Sequence, residues 1–302
     1  MIRLVKCSIL IAVLSITSWA QMKVVERMPV IGHNAPATSN PPPQNNGIQY
    51  HGGPVMNDPH GTNVYFIWYG DWSNSPVPAI LTNFIKNIGG TAYFNINSSY
   101  YDYDKEGEKD PVVNRINYGG SSTDNYSLGT SLSDQNLVDI LASAISSGKL
   151  PNDPKQGAYF VLTSADVQET SGFCTVYCAF HGYDLESNGG MLPIGFIGNS
   201  DQCPSACTQL PHLPTPNNSV AADGMANMLA HELSETVTDP FGTAWYDQNF
   251  NENGDLCLWT FGKTKALPDG ALYNVKVGRR PWLIQQIWVN ARGGYCALAF
   301  DE

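Results

Sequence analysis

Gly61-Thr-Asn-Val-Tyr-Phe-Ile-Trp-Tyr-Gly70 holds seven β-favouring residues, Asn63 to Tyr69, between two glycines. A strand this apolar on both faces belongs inside a sheet covered on both sides, the arrangement of α/β proteins. Downstream, Ile80, Leu81, Phe84, Ile85 and Ile88 recur at helical spacing, which predicts an amphipathic helix over Pro78–Ile88. Thr91 to Tyr103 reads as strand plus loop and Val112 to Tyr118 as a short strand. Ser133 then caps a second helix with an apolar face of Leu137, Ile140, Leu141, Ala144 and Ile145, stopped by Gly148 and Pro151. Gly157-Ala-Tyr-Phe-Val-Leu-Thr163 repeats the buried-strand pattern. This order predicts an α/β fold in a single domain, a mixed sheet packed with helices. Gly189 to Gly198 reads as an edge strand, residues 199–219 as an irregular loop, and Asp223 as the cap of a third helix running through Val237 to Pro240. Tyr273 to Ala299 reads as strands.

The chain has 302 residues, with 16 Lys and Arg against 27 Asp and Glu, a formal charge of −11. Phosphate recognition needs clustered cations, so this balance argues against a nucleic-acid partner. Residues 1–20 read as a secretory signal peptide. Arg3 and Lys6 precede an apolar run from Cys7 to Ile16, and Ser18 and Ala20 stand at the positions a signal peptidase inspects. No later stretch is apolar for long enough to cross a bilayer, so after cleavage a secreted, extracellular or periplasmic protein without a membrane partner is expected. Residues 21–49, rich in Pro and Asn, read as an extended linker, and 50–302 as the folded domain. Cys174, Cys178, Cys203, Cys207, Cys257 and Cys296 remain. An even count in an exported chain predicts three disulfides, with Cys257–Cys296 the expected long-range pair.

One segment can carry chemistry: Ala230-His-Glu-Leu-Ser-Glu-Thr-Val-Thr-Asp-Pro240. His231 and Glu235, four apart, share a helix face and can grip one metal ion. Glu232 lies about 100° round the helix, where the general base stands in His-Glu-x-x-His zinc hydrolases. Here Glu235 replaces the second His, an admissible swap because carboxylate oxygen and imidazole nitrogen both bind zinc at roughly 2.0–2.2 Å. The helix would therefore be zincin-like. Asp255, on the loop that follows, is the expected third ligand, with Glu252 or His181 as rivals. The expected cofactor is Zn²⁺, although a structural Ca²⁺ would use the same oxygens. With zinc bound, Glu232 would take a proton from the attacking water, and Tyr246 or His181 would stabilise the oxyanion.

Several segments together resemble the exordium, or phosphate-induced protein 1, family. They are Tyr50-His-Gly-Gly-Pro54, Val64-Tyr-Phe-Ile-Trp-Tyr-Gly-Asp-Trp-Ser73, Val161-Leu-Thr-Ser-Ala-Asp-Val167, Gly172-Phe-Cys174, Cys178-Ala-Phe-His-Gly182, Gly198-Asn-Ser200, Gln202-Cys-Pro204, Asp223-Gly-Met225, Val237-Thr-Asp-Pro-Phe-Gly242 and Cys296. The resemblance covers about residues 50–299 and implies a secreted protein of the extracellular matrix or cell wall, linked in plants to growth responses. His-Glu-Leu-Ser-Glu departs from the plant pattern, where the His-Glu pair is often missing, and the chain resembles a microbial-type member. Two functions are thus expected. One is a zinc-dependent hydrolase of peptide or amide bonds, with a protein or cell-wall substrate. The other is a non-catalytic extracellular module for wall binding or growth signalling.

Overall fold

In the computed structural model, residues 21–32, 47–185 and 190–301 are described; the signal peptide expected over 1–20 lies outside them. A six-stranded sheet is built from β1 (Gln21–Pro29), β2 (Thr62–Tyr69), β3 (Ile116–Asp124), β4 (Gly157–Thr163), β5 (Tyr177–Leu185) and β6 (Leu192–Ile197). Their spatial order is β1–β5–β6–β4–β2–β3. The contacts β6–β4, β4–β2 and β2–β3 are parallel, whereas β1–β5 and β5–β6 are antiparallel, so the sheet is mixed. The two runs that read as two-sided strands sit at its centre: β4 is buried at every position and β2 at every position but Asn63.

Two expectations shift with this topology. Gly189–Gly198 was expected at an edge, but β6 lies between β5 and β4 with every residue buried, because β5 continues the sheet beyond it. The linker expected over 21–49 begins instead as β1, which adds to the free edge of β5 and puts Met22 and Met28 into the core. Its charged residues hide the pattern, since an edge strand with a bulge need not alternate strictly. Residues 33–46 of that linker lie outside the described residues.

Helices α1 (Val77–Ile88), α2 (Asp134–Ser146) and α3 (Val220–Thr238) cover the sheet. Successive strand residues point to opposite faces, and β1 shows which helix lies where. Arg27 meets Asp134 of α2 at 2.7 Å, whereas Glu26 meets His231 of α3 at 3.5 Å. The cap of α3 is Ser219, whose Oγ accepts from the Ala222 amide at 3.2 Å. Asp223, the expected cap, sits one turn in and accepts from the Asn217 backbone amide and Nδ2. Every residue of α3 from Ala221 to Thr238 is buried. Its end is fixed by Asp239, whose Oδ1 accepts from the Thr243 and Ala244 amides at 2.6 and 2.9 Å, and by Pro240, which cannot continue a helix.

The cysteines pair as Cys174–Cys203, Cys178–Cys207 and Cys257–Cys296. The last joins the turn Asp255–Cys257 to the terminal ribbon of Ile287–Val289 and Tyr295–Ala297. It spans 39 residues of chain, for which loop-closure entropy gives about 4 kcal/mol. Replacing both Cys257 and Cys296 by Ser is expected to remove roughly that much stability, read by chemical denaturation.

Candidate metal centre

Three elements converge on one buried spot. α3 brings His231, Glu232 and Glu235; β5 brings His181; the loop after α3 brings Glu252. That loop is held in place by its own polar groups. Asp247 Oδ1 accepts from the Asn249 and Asn251 amides, Asn253 Nδ2 donates to Thr238 Oγ1 at 3.1 Å, and the Trp288 amide donates to the Asn253 carbonyl at 2.9 Å. A fourth element, β1, adds Glu26. Glu26 stands opposite His181 in the β1–β5 register, so the two side chains share a face.

Glu235 lies in the middle, its two oxygens facing different partners. Oε1 is 3.2 Å from His231 Nε2 and Oε2 is 3.7 Å from His181 Nε2. His231 Nε2 is also 3.5 Å from Glu26 Oε2, and His181 Nε2 is 3.3 Å from Glu252 Oε2. Two overlapping donor groups result: Glu26, His231, Glu232 and Glu235, and His181, Glu235 and Glu252. Four ligands at 2.0–2.2 Å around a tetrahedral ion are separated by about 3.3–3.6 Å, and the four donor pairs, at 3.2 to 3.7 Å, lie close to that spacing. His181 Nε2, His231 Nε2, Glu26 Oε2, Glu252 Oε2 and both oxygens of Glu232 and Glu235 are buried without a hydrogen-bond partner. Leaving that many polar atoms unsatisfied is costly, and a cation coordinated among them would remove the cost. Space is reserved as well: a Cβ on Gly254 would stand 2.6 Å from His231 Nδ1 and 2.7 Å from Glu235 Oε1.

Around the donors, Gln285 fixes the imidazole of His231. Its Nε2 lies 2.9 Å from His231 Nδ1 and donates to the Gly254 carbonyl at 2.9 Å, while its backbone amide donates to Asn227 of α3. Asp255, the expected third ligand, belongs to neither donor group; its Oδ2 accepts from the Glu252 amide at 3.0 Å and shapes the turn that presents Glu252. Tyr246 is half-buried, stacked on His51 with ring centroids 3.7 Å apart, and lines the cavity that reaches Glu252. Glu26 is the residue that sequence reasoning missed. The signal available was weak, an acid beside Val24 and Val25 in a run bounded by Met22 and Met28.

Electrostatically the centre is overloaded with acid. Burial first, and neighbouring carboxylates next, push Glu232, Glu235, Glu252 and Asp255 well above the usual carboxylate range. Burial takes His181 down to about 4. Burial also disfavours charge on His231, but its contact with Glu26 and the charge of Glu232 carry it up to about 9. Glu26 is the counterpart: burial would raise it, and the close approach of the His231 imidazole holds it below the ordinary value. The centre is sealed from bulk water. A cavity of about 200 Å³ lined by Lys23, Val24, Val25, Tyr183, Phe241 and Glu252, among others, approaches it from the surface.

A family model described as "Phosphate-induced protein 1 conserved region" matches residues 48–297. "Protein EXORDIUM-like 5" of Arabidopsis thaliana is 31% identical over 277 residues, covering 80% of this chain and 75% of that protein. "Protein EXORDIUM-like 3" of the same plant is 32% identical, with 80% of each chain covered. "Protein PHOSPHATE-INDUCED 1" of Nicotiana tabacum is 30% identical, covering 68% of each. No solved structure matches the chain.

Proposed function

The chain belongs to the phosphate-induced protein 1 family, and from that premise we propose that it is an extracellular, zinc-dependent hydrolase of peptide or amide bonds. Three disulfides accord with an oxidising compartment, and among the described residues no helix is long and apolar enough to cross a membrane. The observation that carries the catalytic part is the set of orphaned imidazole and carboxylate atoms, gathered in two donor groups whose members lie within 4.8 Å of one another. Two imidazoles among carboxylates are a zinc donor set rather than a calcium one, which uses oxygen alone.

His231 and Glu235 would hold the ion, with His181 and Glu252 on the far oxygen of Glu235 and Glu26 on the near side. A bound zinc ion polarises a carbonyl and brings the pKa of water toward neutrality. Glu232 stands beside the donors with both oxygens free of hydrogen bonds, and its raised pKa suits a group that takes a proton and returns it to the leaving amine. Gln285 keeps His231 turned with Nε2 toward Glu235. An amide nitrogen can only donate, so it cannot take up the Nδ1 proton that ligation through Nε2 leaves on the ring. Gln285→Glu, which puts an acceptor there, is expected to tighten zinc binding, measured by chelator competition.

A second reading is favoured by one observation, the complete burial of the centre: an extracellular module in which the cation is structural. Metal analysis of the purified chain, paired with hydrolysis of casein, tests both. Zinc in stoichiometric amount with chelator-sensitive cleavage supports the hydrolase. Zinc without cleavage, in the wild type and in Glu26→Ala alike, leaves the structural cation, and a chain without metal removes both.

A further inference from the structure

β1 closes the centre, yet it lies outside the family-matched region, which begins at residue 48. It is the edge strand of the sheet, and only Met22 and Met28 of its nine residues are buried. Its pairing with β5 is broken by a bulge: Val24 faces Gly182 and Glu26 faces His181, with Val25 inserted between. Because side chains alternate along a strand, that one inserted residue is what turns Glu26 onto the face of His181. Gly182 admits the strand, since a Cβ there would overlap the Lys23 carbonyl oxygen. Lys23, Val24 and Val25 also form one wall of the cavity that reaches Glu252.

An extended peptide binds a sheet edge by adding itself as a strand, with main-chain hydrogen bonds for affinity and alternate side chains pointing into the site. β1 makes that same interaction along β5. We propose that the β5 edge is the docking strip for an extended peptide substrate and that β1 is its intramolecular stand-in, with Glu26 filling the place at the centre that a scissile carbonyl would take. The chain as folded is therefore latent until β1 leaves. This inference rests on the hydrolase reading above.

Two measurements test it. The first compares wild-type, Glu26→Ala and Gly182→Ala chains loaded with cobalt(II), adding acetohydroxamate, a small chelator that binds only an open coordination position. The visible spectrum of the wild type is expected to stay unchanged while both variants shift; Gly182→Ala displaces β1 without touching any donor and covers the case in which Glu26→Ala does not fold. Equal response in wild type and variants overturns the plug and leaves the metal reading intact, whereas absence of cobalt in all three removes both. The second uses the full chain with a specific protease site inserted within 33–46 and cut after folding. A fluorescent peptide of residues 21–32 is expected to exchange into the cut chain but not the uncut one, and casein to displace it. The same peptide with Gln at position 26 should bind roughly tenfold more weakly. Exchange that casein cannot reverse overturns the peptide-docking assignment.

Discussion

If the chain holds zinc as proposed, stripping it with a strong chelator at pH 7 is expected to lower the Tm by roughly 10 °C. A ligand present at a thousandfold excess over its dissociation constant stabilises the folded state by about 4 kcal/mol, and in a chain of this size each kcal/mol moves Tm by roughly 2–4 °C. The same experiment carries a pH signature. Without cation, Glu232, Glu235, Glu252 and Asp255 keep their protons in the folded chain at pH values where the unfolded chain has released them, because burial raises all four. The unfolded state then binds fewer protons, so stability of the stripped chain falls as pH rises above the ordinary carboxylate range. His181 opposes this, its contribution being lost as pH falls from 6.5 toward 4, and so does Glu26, whose lowered pKa loses stability only in acid. His231, raised to about 9, adds to the fall as pH rises past 6.5, so the four raised carboxylates set the sign. The stripped chain should therefore melt higher at pH 5 than at pH 7. The zinc-loaded chain should do the reverse, since coordination needs the carboxylates deprotonated. Scanning calorimetry at the two pH values, with and without chelator, reads both slopes.

Glu232→Gln is expected to cut hydrolysis by about 10²–10⁴-fold, the usual share of a general acid–base group, while zinc content stays at the wild-type level. The measurement belongs on the Glu26→Ala background, where the centre is open. The two carboxylate oxygens of Glu232 are buried and unpartnered, so a neutral isostere removes no native hydrogen bond. Stability should be retained or slightly raised. A variant that loses its zinc along with its activity would make Glu232 a ligand rather than the base.

The sheet and the helix that carries His231, Glu232 and Glu235 are legible for the same reason: their signals are local. Asn63–Tyr69 and Gly157–Thr163 are apolar on both faces and sit at the sheet centre, and His231 and Glu235 fall on one face of α3 whatever surrounds them. The expected Cys257–Cys296 bridge is present because the other four cysteines lie close together in sequence and pair among themselves. What escaped local reading is what topology supplies. His181 and Glu252 are candidates in the sequence only as rivals to Asp255; that His181 meets Glu235 follows from β5 passing under α3, which no feature within Cys178–Gly182 announces. Glu26 was hidden more deeply, since a short charged run after a signal peptide reads as linker until an open sheet edge is there to receive it. Asp255 was favoured by its spacing from His231, but the chain uses it to shape the turn that presents Glu252.

Gly254 gives a way to sort the family. Its φ of −74° is open to any amino acid, so only lack of room keeps a side chain out. A homologue with alanine or anything larger at this place would push against the imidazole and carboxylate that it shelters. Reading that single position across relatives would separate those with room for this arrangement of imidazole and carboxylate from those in which a side chain fills it.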